Sequence, residues 1–236
     1  MDRKTAFRGK LSAAGMDAAL IHRSENMRYL TGYTGEGSVF VCAQETVIIT
    51  DFRYIEQAER QSPDCRVVRT TQEKPERDWV LELTDAHGVR TLGVEEDFLS
   101  YSSREALNKH LPFVTLTSAD GIAEELRMVK DAGEIESICA SAAIACRAFE
   151  NLLGKVHAGM TEKQVQILLD YEMLNLGSEG NAFNTISAAG INGSLPHAVP
   201  SDHVIEKGEL LTLDFGAKVN GYCSDMTRTI AFGKVS

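Results

Sequence analysis

Apolar residues recur along this chain with two different periods, and the switches between them mark out its elements. Over residues 3–14, Phe7 and Leu11 lie four apart with Ala14 a step further on, the spacing of one helix face. Gly15 breaks that pattern before Ala18-Ala19-Leu20-Ile21, a short apolar run that reads as a buried strand. Ser24 is placed to cap a further stretch of helix up to Leu30, and Thr31-Gly32-Tyr33-Thr34-Gly35 has the chemistry of a loop. Two neighbouring strands follow at 38–42 and 46–50, around a turn at Ala43-Gln44-Glu45. The alternation then repeats. It predicts a helix near 52–61, a strand at 66–69, a helix near 75–86, a strand at 91–94, a helix opened by the capping box Ser102-x-x-Glu105, and a strand at 113–116. Strands alternating with helices predict an α/β sheet layered by helices.

The pattern changes near 117–130. Asp131-x-x-Glu134 is a second capping box, opening a long helix with Ile135, Ile138, Ala142, Ala145, Phe149 and Leu152 on one face. Gly159 interrupts, and Thr161-x-x-Gln164 caps another helix carrying Val165, Leu168, Leu169 and Leu176. Two consecutive helices followed by strands are in α+β order. A domain boundary is therefore expected near Ala123, giving an α/β domain over 1–122 and an α+β domain over 123–236.

Composition narrows the function classes. The net charge of −10 and the lack of a basic block exclude a general nucleic-acid binder. Apolar runs such as Val47-Ile48-Ile49 are far too short to span a bilayer, and Met1-Asp2-Arg3-Lys4 leads into an amphipathic stretch with no signal pattern. A cytoplasmic location is expected. The five cysteines are scattered with no C-x-x-C pair, so they read as reduced thiols and not as a disulfide framework or zinc cluster. The glycines between Gly32 and Gly37 lack the spacing of a nucleotide cradle.

Candidate chemistry gathers near the C-terminal end of the sequence. Asn220-Gly221 between two β-type runs is a strong signal for a two-residue type I′ hairpin turn. With that turn, Val219 faces Tyr222, Asp214 lies opposite Thr227, and Asp225 lies opposite Gly216. Asp214 and Asp225 are then diagonal neighbours on one face, about 7–8 Å apart at the backbone. Converging carboxylates repel unless something positive lies between them, and a divalent metal does this. One aspartate facing solvent, or neutralisation by Arg228 or Lys218, meets the same requirement, so spacing alone leaves the choice open. His197 lies in Ser194-Leu195-Pro196-His197-Ala198-Val199-Pro200, a loop stiffened by two prolines. Beside a metal site it is placed to stabilise a developing oxyanion; taken alone, it reads as a surface histidine. His203 is expected in solvent, and His22, His87, His110 and His157 as ordinary histidines.

Taken together, four segments resemble the pita-bread metallopeptidases, within them the Xaa-Pro aminopeptidase and Xaa-Pro dipeptidase branch. They are Phe183-Asn184-Thr185-Ile186-Ser187-Ala188-Ala189-Gly190, Leu195-Pro196-His197-Ala198, Leu213-Asp214-Phe215-Gly216-Ala217, and the run from Gly221-Tyr222-Cys223-Ser224-Asp225 through Met226-Thr227-Arg228-Thr229. Leu126-Arg127-Met128-Val129-Lys130 resembles that branch's approach to the catalytic domain. Residues 3–116, with Asn26-Met27-Arg28-Tyr29-Leu30-Thr31-Gly32-Tyr33, resemble its creatinase-type N-terminal domain. The resemblance implies a creatinase-like α/β domain followed by the first half of an α+β pita-bread catalytic domain. It implies hydrolysis of the Xaa-Pro bond in proline-containing peptides, with two divalent ions of manganese, cobalt or zinc as cofactors. Asp214 would bind one metal, Asp225 would bridge both, and His197 would be the catalytic group binding substrate and stabilising the tetrahedral intermediate. A homodimer is implied.

The family takes a further histidine and two glutamates from the second half of the catalytic domain, so this chain is expected to bind its metals incompletely. A fragment of a normal peptidase, a split enzyme completed by a second polypeptide, and a non-catalytic binding module all satisfy that pattern. A creatinase-like, metal-free amidinohydrolase is a further alternative, against which both aspartates count.

Overall fold

The computed structural model describes residues 2–234, and the chain divides into two compact units, 1–129 and 130–236. The first unit is built on a six-stranded sheet. Its strands are β1 (Ala18–Ile21), β2 (Ser38–Cys42), β3 (Thr46–Thr50), β4 (Arg66–Arg69), β5 (Thr91–Val94) and β6 (Thr115–Ser118), in the spatial order β4-β3-β2-β1-β5-β6. The β1–β2 and β2–β3 pairs are antiparallel, and the remaining pairs are parallel. β1, β2 and β3 are buried along their whole length because the sheet is covered on both sides, which is why they read as continuous apolar runs. Ala18, Leu20, Phe40 and Ile49 pack to one side with Val80 and Leu83 of α4 (Glu76–Ala86) and Leu107 of α5 (Tyr101–His110). Ala19, Ile21, Val39, Val41 and Ile48 pack to the other, against Phe7 and Leu11 of α1 (Arg3–Ala13) and Met27 and Leu30 of α2 (Ser24–Thr31). α3 (Ile55–Gln61) contributes Ala58 to that second layer.

Several boundaries differ from the sequence reading for physical reasons. α5 is capped by Ser100, whose side chain accepts from the Ser103 N–H, and not by Ser102. Ser24 does not cap α2. Instead the buried carboxylate of Glu95 accepts from the backbone N–H groups of His22 and Arg23 and from the Asn26 amide. A short helix, α6 (Ile122–Met128), occupies the stretch left unassigned, and it belongs to the first unit. Ala123 is buried in the α1–α2 core, the Asn26 side-chain amide donates to Glu124, and Arg127 donates to Asn26 Oδ1 at 2.9 Å. The division between units therefore falls at 129–130, past Ala123.

The second unit places α7 (Ala132–Leu153) and α8 (Glu162–Asn175) on one face of an antiparallel sheet. Both predicted capping boxes form, at Asp131/Glu134 and Thr161/Gln164. The sheet is β11-β8-β7, with β7 (Ile186–Ala189), β8 (Leu210–Phe215) and β11 (Met226–Ala231). β8 alternates strictly: Leu211, Leu213 and Phe215 are buried against Ala145, Ala148, Val165 and Leu169, and the Phe215 ring stacks on Phe149 at 5.9 Å. Leu210, Thr212 and Asp214 take the opposite face.

Candidate metal centre

The predicted turn forms at Asn220-Gly221, where φ is +49° and +77°, the positive values that a type I′ turn requires at both positions. It joins two short strands, β9 (Lys218–Val219) and β10 (Tyr222–Cys223), with Val219 opposite Tyr222. In the same register Asp214 lies opposite Thr227, so Asp214 stands between Ile186 of β7 and Thr227 of β11. The Thr227 hydroxyl donates to Asp214 Oδ1 at 2.6 Å.

The hairpin is not one continuous ladder. Between β8 and β9 the 179–182 segment takes part of the pairing: Ala182 N–H donates to the Gly216 carbonyl and Glu179 N–H to the Lys218 carbonyl, both at 2.8 Å. Ala217 and Ser224 remain paired, through Ser224 N–H to the Ala217 carbonyl and Ala217 N–H to Ser224 Oγ. Asp225 thus follows a fixed residue and immediately precedes β11, whose first paired residue is Met226, opposite Phe215; the expected Asp225–Gly216 pair lies outside the ladder. A Cβ on Gly216 would fall 1.9 Å from the Ser224 carbonyl oxygen and 2.9 Å from Ala182 Cβ. The room glycine leaves is filled by the backbone that presents Asp225, and not by its side chain. The hairpin is tied to α7 by Ser141 Oγ donating to the Ala217 carbonyl (2.7 Å) and by Tyr222 OH donating to Glu134 (2.8 Å).

Asp214 is half-buried and Asp225 is exposed. Two carboxylates offer the oxygen donors a hard divalent cation takes. Among the described residues, however, no group of three or more His, Cys, Asp or Glu side chains converges, so the chain's own donors fit part of a metal site and not a whole one. His197 lies outside any such group. It is exposed in the turn closed by Ala198 N–H donating to the Leu195 carbonyl at 3.2 Å. The 3-10 turn before it, Gly190–Ser194, covers the polar side of the sheet: a Cβ on Gly193 would sit 3.4 Å from the Ala188 carbonyl and 3.6 Å from Thr212 Oγ1. Since Thr212 and Asp214 share that side, the His197 loop starts over the face that carries Asp214.

Other histidines depart from expectation. His203 is paired with Glu209 at 3.2 Å, and His22, His87 and His110 face Glu76, Glu45 and Asp78. Sequence reasoning also passed over Glu162, the first residue of α8. Its fully buried carboxylate accepts from Ala189 N–H (2.7 Å), Asn192 Nδ2 (3.0 Å), Ser201 N–H (2.9 Å) and Ser201 Oγ (2.6 Å). Burial pushes this carboxyl up, but the hydrogen bonds from Ser201, Ala189 and Asn192 outweigh it and hold the group below the usual range. The capping box marked where α8 begins, yet nothing in one dimension ties Glu162 to residues far along the chain.

The sheet is backed by two helices, Asp214 stands on its open face, and the loop carrying His197 starts over that face, an arrangement of the α+β class. Known proteins make the class specific. Residues 3–129 match the Creatinase/Prolidase N-terminal domain, and residues 136–236 match Metallopeptidase family M24. The uncharacterized peptidase YqhT of Bacillus subtilis is 34% identical over 231 residues, covering 98% of this chain and 65% of that protein. An Xaa-Pro dipeptidase from Bacillus anthracis superposes with a TM-score of 0.95 at 36% identity, over 100% of this chain and 66% of that one. An X-Pro aminopeptidase from Thermotoga maritima gives 0.87 at 34% identity, over 94% and 64%. The chain belongs to metallopeptidase family M24, with a creatinase-type N-terminal domain followed by the first half of the pita-bread domain. It spans slightly under two thirds of the length of each of these three proteins.

Proposed function

We propose that this chain carries the substrate-histidine loop and the first two metal ligands of a proline-specific peptidase, acting on the bond that precedes proline. The observation that supports this reading is Asp214 paired opposite Thr227 with Asp225 directly before the same strand, on a chain whose relatives are Xaa-Pro dipeptidases and aminopeptidases. Asp214 would hold one divalent ion and Asp225 would bridge two, with manganese, cobalt or zinc as the candidates. When bound, the metal pair would supply Lewis-acid polarisation of the scissile carbonyl and a nucleophile at neutral pH. The residues of this chain act around that centre. Thr227 orients Asp214 through its hydroxyl, and His197 would donate a hydrogen bond to the oxyanion that develops on the carbonyl. Three of the five free thiols are exposed, which suits a reducing compartment and supports a cytoplasmic location. No described helix is long and apolar enough to cross a membrane. Homodimeric assembly is part of the same proposal.

One observation favours a second reading: the described residues bring no third ligand to the aspartates. A second polypeptide completing the site, or a binding module without catalysis, would account for it. The test is hydrolysis of an Xaa-Pro dipeptide and of a longer Xaa-Pro peptide by the 236-residue chain with added Mn²⁺, beside Asp225→Asn. Metal-dependent cleavage lost in the variant supports the peptidase reading and supplementation from a partner copy. Cleavage undiminished in the variant sinks the assignment of Asp225, and absence of cleavage favours the second reading.

A further inference from the structure

The chain leaves β7 at Ala189 and returns to the start of α8 at Ser201, and Glu162 receives it at both points. Its Oε1 accepts from Ala189 N–H and Asn192 Nδ2 where the excursion begins. Its Oε2 accepts from the N–H and hydroxyl of Ser201 where the excursion ends. His197 lies between these anchors. The helix end strengthens the return: the N–H groups of Glu162 and Lys163, which have no acceptor within the helix, donate to the carbonyls of His203 (3.1 Å) and Ser201 (3.2 Å). A second carboxylate guards the outgoing side. Glu209 Oε1 would lie 2.3 Å from a Cβ on Gly190, which adopts φ +53°, while Glu209 accepts from Glu206 N–H and pairs with His203.

A fully buried carboxylate is costly unless its oxygens are satisfied. No ion pair to Glu162 is found among the described residues, and its four donors are neutral groups at the two ends of one loop. Holding both ends on a single carboxylate removes most of the loop's freedom to swing, and the prolines at 196 and 200 stiffen what remains. The side-chain chemistry is specific. Glutamine would turn an amide donor toward one of the donor pairs, and aspartate would fall short by a methylene.

We propose that Glu162 is the positioning residue for His197, fixing the loop that carries it over the face bearing Asp214 by clasping both of its ends. The inference rests on the reading of His197 as the group that meets substrate, but its test does not depend on activity. Amide hydrogen exchange and histidine-ring NMR are measured on the full chain, on Glu162→Gln and on Asn192→Ala. In Glu162→Gln the Leu195, Ala198 and Ser201 amides lose protection by about ten-fold or more. The His197 ring resonances move toward those of an unstructured histidine, while amides of α7 and β8 and the rings of His22, His87 and His110 hold. Asn192→Ala, which removes one of four donors, gives a smaller loss on the outgoing side of the loop. The proposal is overturned if the loop amides and His197 signals are unchanged in Glu162→Gln, or if α7 and β8 loosen as much as the loop. Should Glu162→Gln not fold, Asn192→Ala decides alone: local loss supports the clasp, and no loss rejects it. Failure of the peptidase reading would show separately, as absence of Mn²⁺-dependent hydrolysis of Xaa-Pro peptides by the unmodified chain.

Discussion

Gly216 shows how one missing side chain shapes a site. The Ser224 carbonyl lies where a Cβ would stand, 1.9 Å away, so Gly216→Ala forces two backbone segments apart beside both aspartates. We expect a loss of about 1–3 kcal/mol, read as a lower denaturation midpoint for the second unit; an unchanged midpoint would mean that the approach is slack. Glu162 sets a pH dependence at the same scale. Its folded-state carboxyl lies below the unfolded value near 4.5, so its contribution is fully present above that value and disappears as pH falls through the folded one. Glu172, held low by Lys155 and Asn151, and Glu209, held low by the Glu206 N–H and His203, act with the same sign. Acidification from about pH 6 to about pH 3 should therefore destabilise the second unit, and Glu162→Gln should flatten the curve without abolishing it. Equal slopes for the two proteins would contradict the assignment. Whereas the expected Asp225–Gly216 pair falls outside the ladder, the Asp214–Thr227 pairing was legible because an Asn-Gly turn fixes the register locally. The partners of Glu162 were not, because they lie 27 and 39 residues away and no periodicity reports them.

Elements were legible where one residue type stood alone at a boundary and ambiguous where several competed. Asp131 and Thr161 have no rival cap nearby, and both boxes form as read. Ser100, Ser102 and Ser103 all precede or open α5, and the structure gives the cap to Ser100. Ser100→Ala should cost about 1 kcal/mol of stability, whereas Ser102→Ala should stay within about 0.5 kcal/mol. Thermal melts of the two variants decide between them, and the reverse ranking would restore the predicted box. The hairpin carrying the aspartates shows the complementary limit. Its turn and register follow from sequence, but the break in its ladder comes from the 179–182 segment, whose backbone takes hydrogen bonds that a lone hairpin would keep for itself.

At the scale of the molecule, the first unit buries its sheet on both faces with its own helices, so it contains a complete core. Residues 1–129 expressed alone should unfold cooperatively with a folded circular-dichroism spectrum; a fragment ending at 122 should be less stable, because it lacks α6 and the Glu124 and Arg127 contacts to Asn26. Equal stability of the two fragments would argue for the earlier boundary. The alternation of strands and helices, the two capping boxes, the type I′ turn and the facing of Asp214 and Thr227 were set by the sequence, since each depends on residues close along the chain or on a fixed period. The division at 129–130, the pairing of the histidines with carboxylates, the backbone packed against Gly216 and the clasp at Glu162 were decided by tertiary structure. Each of those joins groups that only folding brings within hydrogen-bonding or van der Waals reach, where the energy of the contact depends on distance in space and not on separation in sequence.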